Sequence, residues 1–278
     1  MSLLFPEQIR IGLGATYAVL ACVKGKQVTQ WHMQEFEPSE NVQSSHNASP
    51  WQTAVNAISL WLADLAPRGA SVSVMLSAEL ALLHLLPWRE DINGSKQQEL
   101  LAKSHFRRIH NEFSEAWKIS ITPTGYGAPW LASAIDGALL QSLQQCASSN
   151  GATLKSVTPL SIALFNHFRN QLVKSTSWLL VAEPGILVAL YVRDKQWQLL
   201  QMVPISSLQR ESLAQLLLRE TRLAGLPDAP AAIYTTNQLA GDEAYNNASL
   251  EFTRLNAGLY PALGVAQHSP LHLVGAAA

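Results

Sequence analysis

The sequence WLLVAEPGILVALYVRDKQWQLLQMV, residues 178–203, contains three apolar runs separated by the segments EPG (183–185) and RDK (193–195). Apolar, β-branched runs of this length, broken by turn-forming residues, predict three consecutive strands joined by two hairpins. The sequence IGLGATYAVLACVKGKQVTQWHMQEF, residues 11–36, shows the same pattern near the beginning of the chain. The chain is therefore predicted to contain two three-stranded meanders, one in each half.

The two meanders match at their second turn, where the segment VKGKQ beginning at Val23 corresponds to the segment VRDKQ beginning at Val192. Self-similarity of this kind predicts an internal duplication. Aligning Gly14 with Gly185 instead requires a larger offset than the one that takes Val23 to Val192. The difference predicts a two-residue gap inside the first hairpin.

Each meander is followed by a predicted helix and further strands. Residues 51–65 carry apolar side chains at helical spacing, and residues 71–77 are predicted to form a strand. In the second half a Leu-rich helix is predicted to end near Ala224, with strands at 231–235 and 250–255. Capping residues predict where five helices start: Ser49, Ser95, Asp136, Thr158 and Ser206.

The segment between the halves has a different order of predicted strands and helices. Strands are predicted at 82–86, 117–122, 130–135 and 154–157, with a helix over 95–113 and another after Asp136. The prediction is a mixed α/β chain in three parts: a first domain at 1–78 plus 158–172, an inserted subdomain at 79–157, and a second domain at 173–278.

Composition excludes several classes of function. With 19 Lys and Arg against 20 Asp and Glu the net charge is −1, and no basic run is interleaved with aromatic residues, so nucleic acid is not an expected ligand. Cys22 and Cys146 stand alone in apolar surroundings, which predicts buried thiols in a reducing compartment. Neither a signal peptide nor a membrane-spanning run is predicted, and a cytoplasmic location is expected.

Motifs of catalysis are missing from the sequence. It contains no Walker A motif, no GxSxG and no HExxH. His105 and His110 lie five apart on one predicted helix, so they are not expected to share a face and are predicted to have structural or surface roles. We predict no catalytic residue and no metal site.

The order of elements, repeated with an insertion after the fourth strand of the first half, resembles the actin-like ATPase superfamily. The segments IGLG (11–14), LLPW (85–88), AEPG (182–185) and PALG (261–264) contribute to the resemblance. The place of the insertion is that of the FtsA branch, and within it the chain is similar to PilM of type IV pilus assembly and to the cytoplasmic region of the type II secretion protein GspL. The resemblance implies an actin-like, ribonuclease H-like duplicated fold.

The resemblance also implies a nucleotide cleft at Gly12 and Gly14 of the first hairpin and at Glu183 and Gly185 of the second. Members of the superfamily place an Asp two residues before the glycine of each phosphate hairpin, where it orders a metal ion and its waters. Gly12 and Glu183 stand at those positions here, and Pro184 has no backbone N–H to offer a phosphate. We expect these degenerate positions to be non-functional, with ATP and Mg²⁺ disfavoured as cofactors.

By resemblance the chain is a non-catalytic cytoplasmic scaffold of a type IV pilus or type II secretion assembly platform. Its expected partner is the cytoplasmic tail of an inner-membrane assembly protein, which would hold it at the membrane. An ATP-binding actin-like ATPase or nucleotide switch is the first alternative, and metal-dependent ATP binding would distinguish it. An FtsA-like filament-forming protein is the second. The sequence leaves the identity of the partner and the oligomeric state open.

Overall fold

The computed structural model describes residues 8–25, 27–37, 49–92, 94–110, 115–172, 176–183, 185–204, 213–226, 232–235 and 252–255. In chain order these ranges form β1 (Gln8–Leu13), β2 (Tyr17–Lys24), β3 (Gln27–Glu35), α1 (Gln52–Leu65), β4 (Ser71–Leu76), β5 (Ala81–Leu86), α2 (Ser95–Ile109), β6 (Lys118–Thr122), β7 (Trp130–Ile135), α3 (Gly137–Ser149), β8 (Thr153–Pro159), α4 (Leu160–Leu172), β9 (Ser177–Glu183), β10 (Ile186–Arg193), β11 (Gln196–Pro204), α5 (Leu213–Leu223), β12 (Ala232–Thr235) and β13 (Phe252–Arg254).

Two five-stranded sheets have the same topology. The first has the order β3-β2-β1-β4-β8 and the second the order β11-β10-β9-β12-β13. In both, the meander strands pair antiparallel and the two later strands add in parallel. The predicted duplicated α/β fold is confirmed by this repeated order.

The duplication runs through the first hairpins without a gap. Gln8 pairs with Val23 in the first sheet, and Ser177 pairs with Val192 in the second, so both members of the pair are shifted by the same offset. Each meander also has a register irregularity at the same place, just before Val23 and just before Val192. The predicted two-residue gap is therefore wrong.

This register changes which residues of the two hairpins correspond. With the offset that takes Val23 to Val192, Glu183 is the counterpart of Gly14, and Gly185 is the counterpart of Thr16. The prediction that Gly12 is the counterpart of Glu183 is therefore wrong. It assumed that the turn glycines mark equivalent positions, whereas ladder pairing sets the equivalence.

The first sheet has a different core on each of its faces. On one face, α1 and α3 pack against alternate residues of β1, β2 and β4. On the other face, Tyr17, Val19 and Ala21 belong to a core that also contains α4 and strands β9 and β10 of the second sheet. Because successive strand residues point to opposite faces, one strand supplies both cores. The core on this second face is therefore shared by the two halves of the chain.

The inserted segment is shorter than predicted. A separate three-stranded sheet, β5-β7-β6, is covered by α2 and spans residues 81–135. Strand β8, however, pairs in parallel with β4, and α3 packs on α1. The predicted boundary at Val157 is therefore wrong, because α3 and β8 complete the first sheet and its helical layer.

One of the predicted helix caps has the expected geometry. The Asp136 Oδ1 atom accepts a hydrogen bond from the Ala138 N–H at 2.9 Å, at the start of α3. Its Oδ2 atom accepts from Trp51 Nε1 at 3.2 Å, next to the start of α1. Asp136 therefore connects the beginnings of the two helices that cover the first sheet.

The other predicted caps differ from the structure. Helix α1 begins after Trp51 and α2 after Gly94, and neither N-cap makes a side-chain hydrogen bond, so Ser49 and Ser95 are not caps. Thr158 lies within β8, and Ser206 lies outside the described residues. Cys22 and Cys146 are both buried, as predicted. Within the described ranges, no helix is both long and apolar enough to cross a membrane.

Candidate functional site

The segment that follows β4 brings the two first hairpins together. The Ser77 N–H donates to the Leu13 carbonyl at 2.8 Å, which places this segment beside the end of β1. The next residue, Ala78, donates its N–H to Glu183 Oε2 at 2.8 Å, across a sequence separation of 105 residues. A Cβ atom built on Gly185 would lie 3.9 Å from Glu79 Oε1. The ends of β1 and β9 therefore meet at residues 77–79.

Glu183 is a buried carboxyl group at this junction. Its side chain is 5% exposed, and its Oε1 atom has no hydrogen-bond partner. Burial raises the pKa of Glu183 to about 8; the hydrogen bond from Ala78 opposes that rise and the nearby Glu79 carboxylate adds to it. Glu183 is therefore mostly protonated at neutral pH, and it links the second half of the chain to the first.

Gly14 is covered by the ring of Tyr17. The Gly14 N–H donates to the Tyr17 carbonyl at 3.0 Å, which closes the first hairpin. A Cβ atom at position 14 would collide with the Tyr17 ring. Tyr17 itself is buried, with 2% of its surface exposed. Because Gly14 is the counterpart of Glu183, the ring fills the space into which a side chain would project from this position.

Three acids influence one another at the junction. Burial raises the pKa of Tyr17 well above its usual value, and the carboxylates of Glu183 and Glu79 raise it further. Burial also raises the pKa of Glu79, while a hydrogen bond from the backbone of Ala15 opposes that rise. An anionic phosphate entering between the two turns would meet these oxygens.

The sequence prediction identified some of this site. Gly14, Glu183 and Gly185 lie around residues 77–79, whereas Gly12 pairs with Val19 and Met75 inside the first sheet. Tyr17 and Glu79 were missed. Tyr17 starts a strand whose alternation places it on the shared-core face, and this is the sequence signal that could have identified it.

A groove lies between the inserted sheet and the first sheet, with a volume of about 270 Å³. Strand β6 is at the end of the three-stranded sheet, and β8 is at the end of the first five-stranded sheet. Among the described residues, neither strand pairs with another on its outer edge. The groove is lined by Lys118, Ile119 and Ser120 of β6, Ser133 and Ile135 of β7, Leu140 and Gln144 of α3, and residues 154–157 of β8.

The lining combines apolar and cationic side chains. Ile119, Leu140 and Leu154 are half-buried, so they present apolar surface to the groove. Lys118 and Lys155 are exposed, one on each edge strand, and no lining residue is acidic. Strand edges with unsatisfied backbone groups can pair with an added extended segment. The groove is therefore suited to an extended apolar peptide with a negative charge.

The repeated sheets with an inserted subdomain place the chain in a structural class, the actin-like ATPase fold. No protein-family model matches the sequence, and a search of curated proteins finds no significant match.

Three of the solved structures with a similar fold match most of the chain. A Bacteroides thetaiotaomicron protein with an actin-like ATPase fold and unknown function is 13% identical, with a TM-score of 0.58 over 90% of this chain and 91% of its own. PilM in the PilM–PilN type IV pilus biogenesis complex is 12% identical, with a TM-score of 0.61 over 90% and 88%. The cytoplasmic domain of EpsL, an inner membrane component of the Vibrio cholerae type II secretion system, is 12% identical, with a TM-score of 0.54 over 90% and 86%. This likeness confirms the predicted resemblance at the level of the fold.

Proposed function

We propose that this protein is a non-catalytic cytoplasmic scaffold of a type IV pilus or type II secretion assembly platform. It binds the cytoplasmic tail of an inner-membrane protein and is held at the membrane by that partner. The observation that carries the binding role is the groove between the two edge strands β6 and β8, with a lysine on each. The PilM–PilN complex and the EpsL domain, which share the fold, support the assignment to this kind of machine.

The junction of the two hairpins supports the non-catalytic part of the proposal. An actin-like ATPase needs a carboxylate that orders the metal ion and free backbone N–H groups that hold phosphates. Here Gly14 has no side chain, and the Tyr17 ring occupies the space in front of it. The Glu183 carboxyl group accepts a hydrogen bond from Ala78 and is mostly protonated at neutral pH. These residues do not fit Mg²⁺ and a triphosphate.

One observation favours the alternative of a nucleotide-binding ATPase. Glu183 carries a carboxyl group at the end of β9, where the superfamily places an acid, and its Oε1 atom has no hydrogen-bond partner. Binding a metal ion would require Glu183 to lose its proton in a buried environment that raises its pKa. The scaffold therefore remains the leading proposal.

The groove suggests how a tail would be recognised. An extended segment can form backbone hydrogen bonds with the open edge of β6 or β8. Its alternate apolar side chains would lie against Ile119, Leu140 and Leu154, and an acidic side chain or carboxylate would pair with Lys118 or Lys155. We expect the bound tail to be short, extended, apolar and acidic.

A peptide-binding assay tests this function. Fluorescent peptides are made from the N-terminal tails of PilN-type and GspL-partner proteins of the same genome, and anisotropy is measured with the full-length chain. The double variant K118E/K155E reverses both groove charges, so we expect affinity for an acidic tail to fall at least about tenfold. The matched control is K24E, which reverses an exposed lysine at the end of β2.

Two results would contradict the proposal. If no tail peptide binds and the full-length membrane partners fail to retain this protein, the scaffold assignment is wrong. If tails bind equally well to the wild type, the groove variant and the control, the protein is a scaffold but its binding surface lies elsewhere. Circular dichroism of each variant confirms that the comparison is made between folded proteins.

A further inference from the structure

Three histidines meet on the inserted subdomain, although the sequence did not predict it. His84 lies on β5, and the packing of neighbouring Leu82 and Leu86 places this strand face against α2. The His84 ring lies 5.1 Å from the ring of His105 and 5.1 Å from that of His110, measured between centroids. The spacing of five between His105 and His110 would separate them on a continuous helix, but α2 ends at Ile109. His110 therefore leaves the helical path and reaches His84.

Two of these rings point ring nitrogens at each other. His84 Nε2 and His110 Nε2 are 2.9 Å apart, which is the distance of one N–H donating to one nitrogen lone pair. The backbone N–H of His110 donates to the Phe106 carbonyl at 2.8 Å, and this hydrogen bond fixes the end of the helix beside β5. The pair is therefore held by a strand and by a capped helix end.

Burial favours the neutral form of the three rings. Burial is the main cause that lowers the pKa of His84, to about 4, and the neighbouring His105 and His110 lower it further. Burial also lowers the pKa of His105 and of His110. Neutral imidazole is the form that binds transition-metal ions.

We propose that His84 and His110 form a two-histidine site for a divalent transition-metal ion such as Zn²⁺ or Cu²⁺. With metal–nitrogen distances of about 2.0–2.1 Å, two ligands at a tetrahedral angle lie roughly 3.3 Å apart, so the pair must spread by only about 0.4 Å. The proton between the rings moves to the Nδ1 atom of its own ring, and no proton leaves the protein. Water molecules complete the coordination.

The surroundings explain why the site uses a pair. Within the described residues, no three His, Cys, Asp or Glu side chains are arranged to hold a metal ion. His105 contacts His84 by ring packing, and the positive charge of Arg108 acts on it. Arg107 and Lys103 are ion-paired with Glu115, which offsets their charge near the helix end. The site binds through His84 and His110 and connects β5 to the end of α2.

Calorimetric titration of the tag-free, full-length protein with Zn²⁺ tests the assignment. We expect one saturable equivalent in the wild type, together with a rise in melting temperature that grows with free Zn²⁺. In H84Q and H110Q the affinity for Zn²⁺ should fall by at least about 100-fold, because each variant replaces a direct imidazole ligand with a side chain of similar size. The near control H105Q keeps binding within about threefold, and the distant control H167Q leaves it unchanged.

The variants also define what would overturn the proposal. A wild type without a saturable equivalent, or with binding that survives in both H84Q and H110Q, contradicts the site. Equal loss in H105Q would show that the whole cluster, and not the pair, holds the ion. His84 and His110 are only half-buried, and circular dichroism without metal confirms that the variants are folded.

Discussion

The two halves of the chain have the same sheet order and the same strand register, yet the residues at the ends of the first strand differ between them. At the end of β1 there is Gly14 with the Tyr17 ring over it, and at the end of β9 there is the buried acid Glu183. Ile186 is the counterpart of Tyr17. In the first hairpin, the Tyr17 ring occupies the space that a side chain at position 14 would fill. In the second hairpin, Glu183 accepts a hydrogen bond from Ala78 in the first half of the chain.

Under the function that we propose, this difference makes the actin-like architecture a rigid scaffold. The residues at the ends of β1 and β9 pack the two halves against each other. A closed junction supports a fixed arrangement of the two sheets. The role that we propose for the protein depends on the groove at β6 and β8, which is formed by other elements.

The largest expected effect is at Tyr17. Replacing a buried aromatic side chain by alanine leaves a cavity, so Y17A should lower the free energy of unfolding by about 3–5 kcal/mol. The counterpart variant I186A should cost only about 1–2 kcal/mol, because Ile186 is half-buried. Y17F should cost less than about 1 kcal/mol, since it keeps the buried ring and removes only the hydroxyl group. Urea unfolding of the three variants measures this, and equal losses in Y17A and I186A would remove the asymmetry between the hairpins.

The second effect concerns Glu183 and depends on pH. The pKa of Glu183 is about 8 in the folded protein against its usual 4.5. Its favourable contribution is therefore complete below pH 4.5 and is lost as the pH rises towards 8, because over this interval the acid ionises in the unfolded chain while the buried acid keeps its proton. E183Q cannot titrate and can still accept the hydrogen bond from Ala78, so its stability should fall less than that of the wild type over this interval.

A second variant separates the hydrogen bond from the charge. E183L removes the acceptor and should cost about 1–3 kcal/mol at low pH, where the wild-type acid is neutral. Urea unfolding between pH about 5 and about 9 compares the three proteins. If the free energies of unfolding of the wild type and E183Q change in parallel with pH, Glu183 does not titrate as a buried acid.

A third effect tests the close approach of Tyr17 to Gly14. G14A should cost about 1–3 kcal/mol, because the new methyl group must displace the ring. In a Y17A background the same substitution should cost little, so the double-mutant cycle gives a coupling energy. Additive losses in the cycle would show that the ring does not fill this position.

The smallest effect is expected at the matched second turns. Gly25 has a φ of 63°, and in the other half Asp194 and Lys195 have φ values of 53° and 63°. Positive φ favours glycine, so G25A should destabilise by about 1 kcal/mol and K195G should stabilise by about 0.5–1 kcal/mol. Thermal unfolding detects both shifts, and a reversal of both signs would contradict the correspondence of the turns.

The fold was predictable to a large extent because its signals are local. Two meanders with the turn segments at 24–26 and 193–195 predict the antiparallel pairing of the first three strands in each sheet. The destination of β8 was not predictable, because an apolar strand near Leu154 does not indicate which of two sheet edges it joins. The failed caps at Ser49 and Ser95 show that a capping residue near a helix can stand a position or more away from the true N-cap.

The candidate site was predictable only in part. Gly14, Glu183 and Gly185 were expected at the ends of the hairpin strands, but their correspondence depends on the ladder register. The contact of Glu183 with Ala78 joins residues far apart in the sequence, and no local pattern indicates it. The pairing of His84 with His110 depends on α2 ending at Ile109, four residues earlier than the sequence suggested.

Titration of the purified protein with ATP and Mg²⁺ tests the central claim most directly. If the hairpin residues serve packing, the calorimeter should record no binding, and millimolar ATP should leave the melting temperature unchanged. Binding tighter than about 100 μM that requires Mg²⁺ and is lost in E183Q would contradict the account. It would mean that Glu183 holds a metal ion and that the protein is a nucleotide-dependent switch.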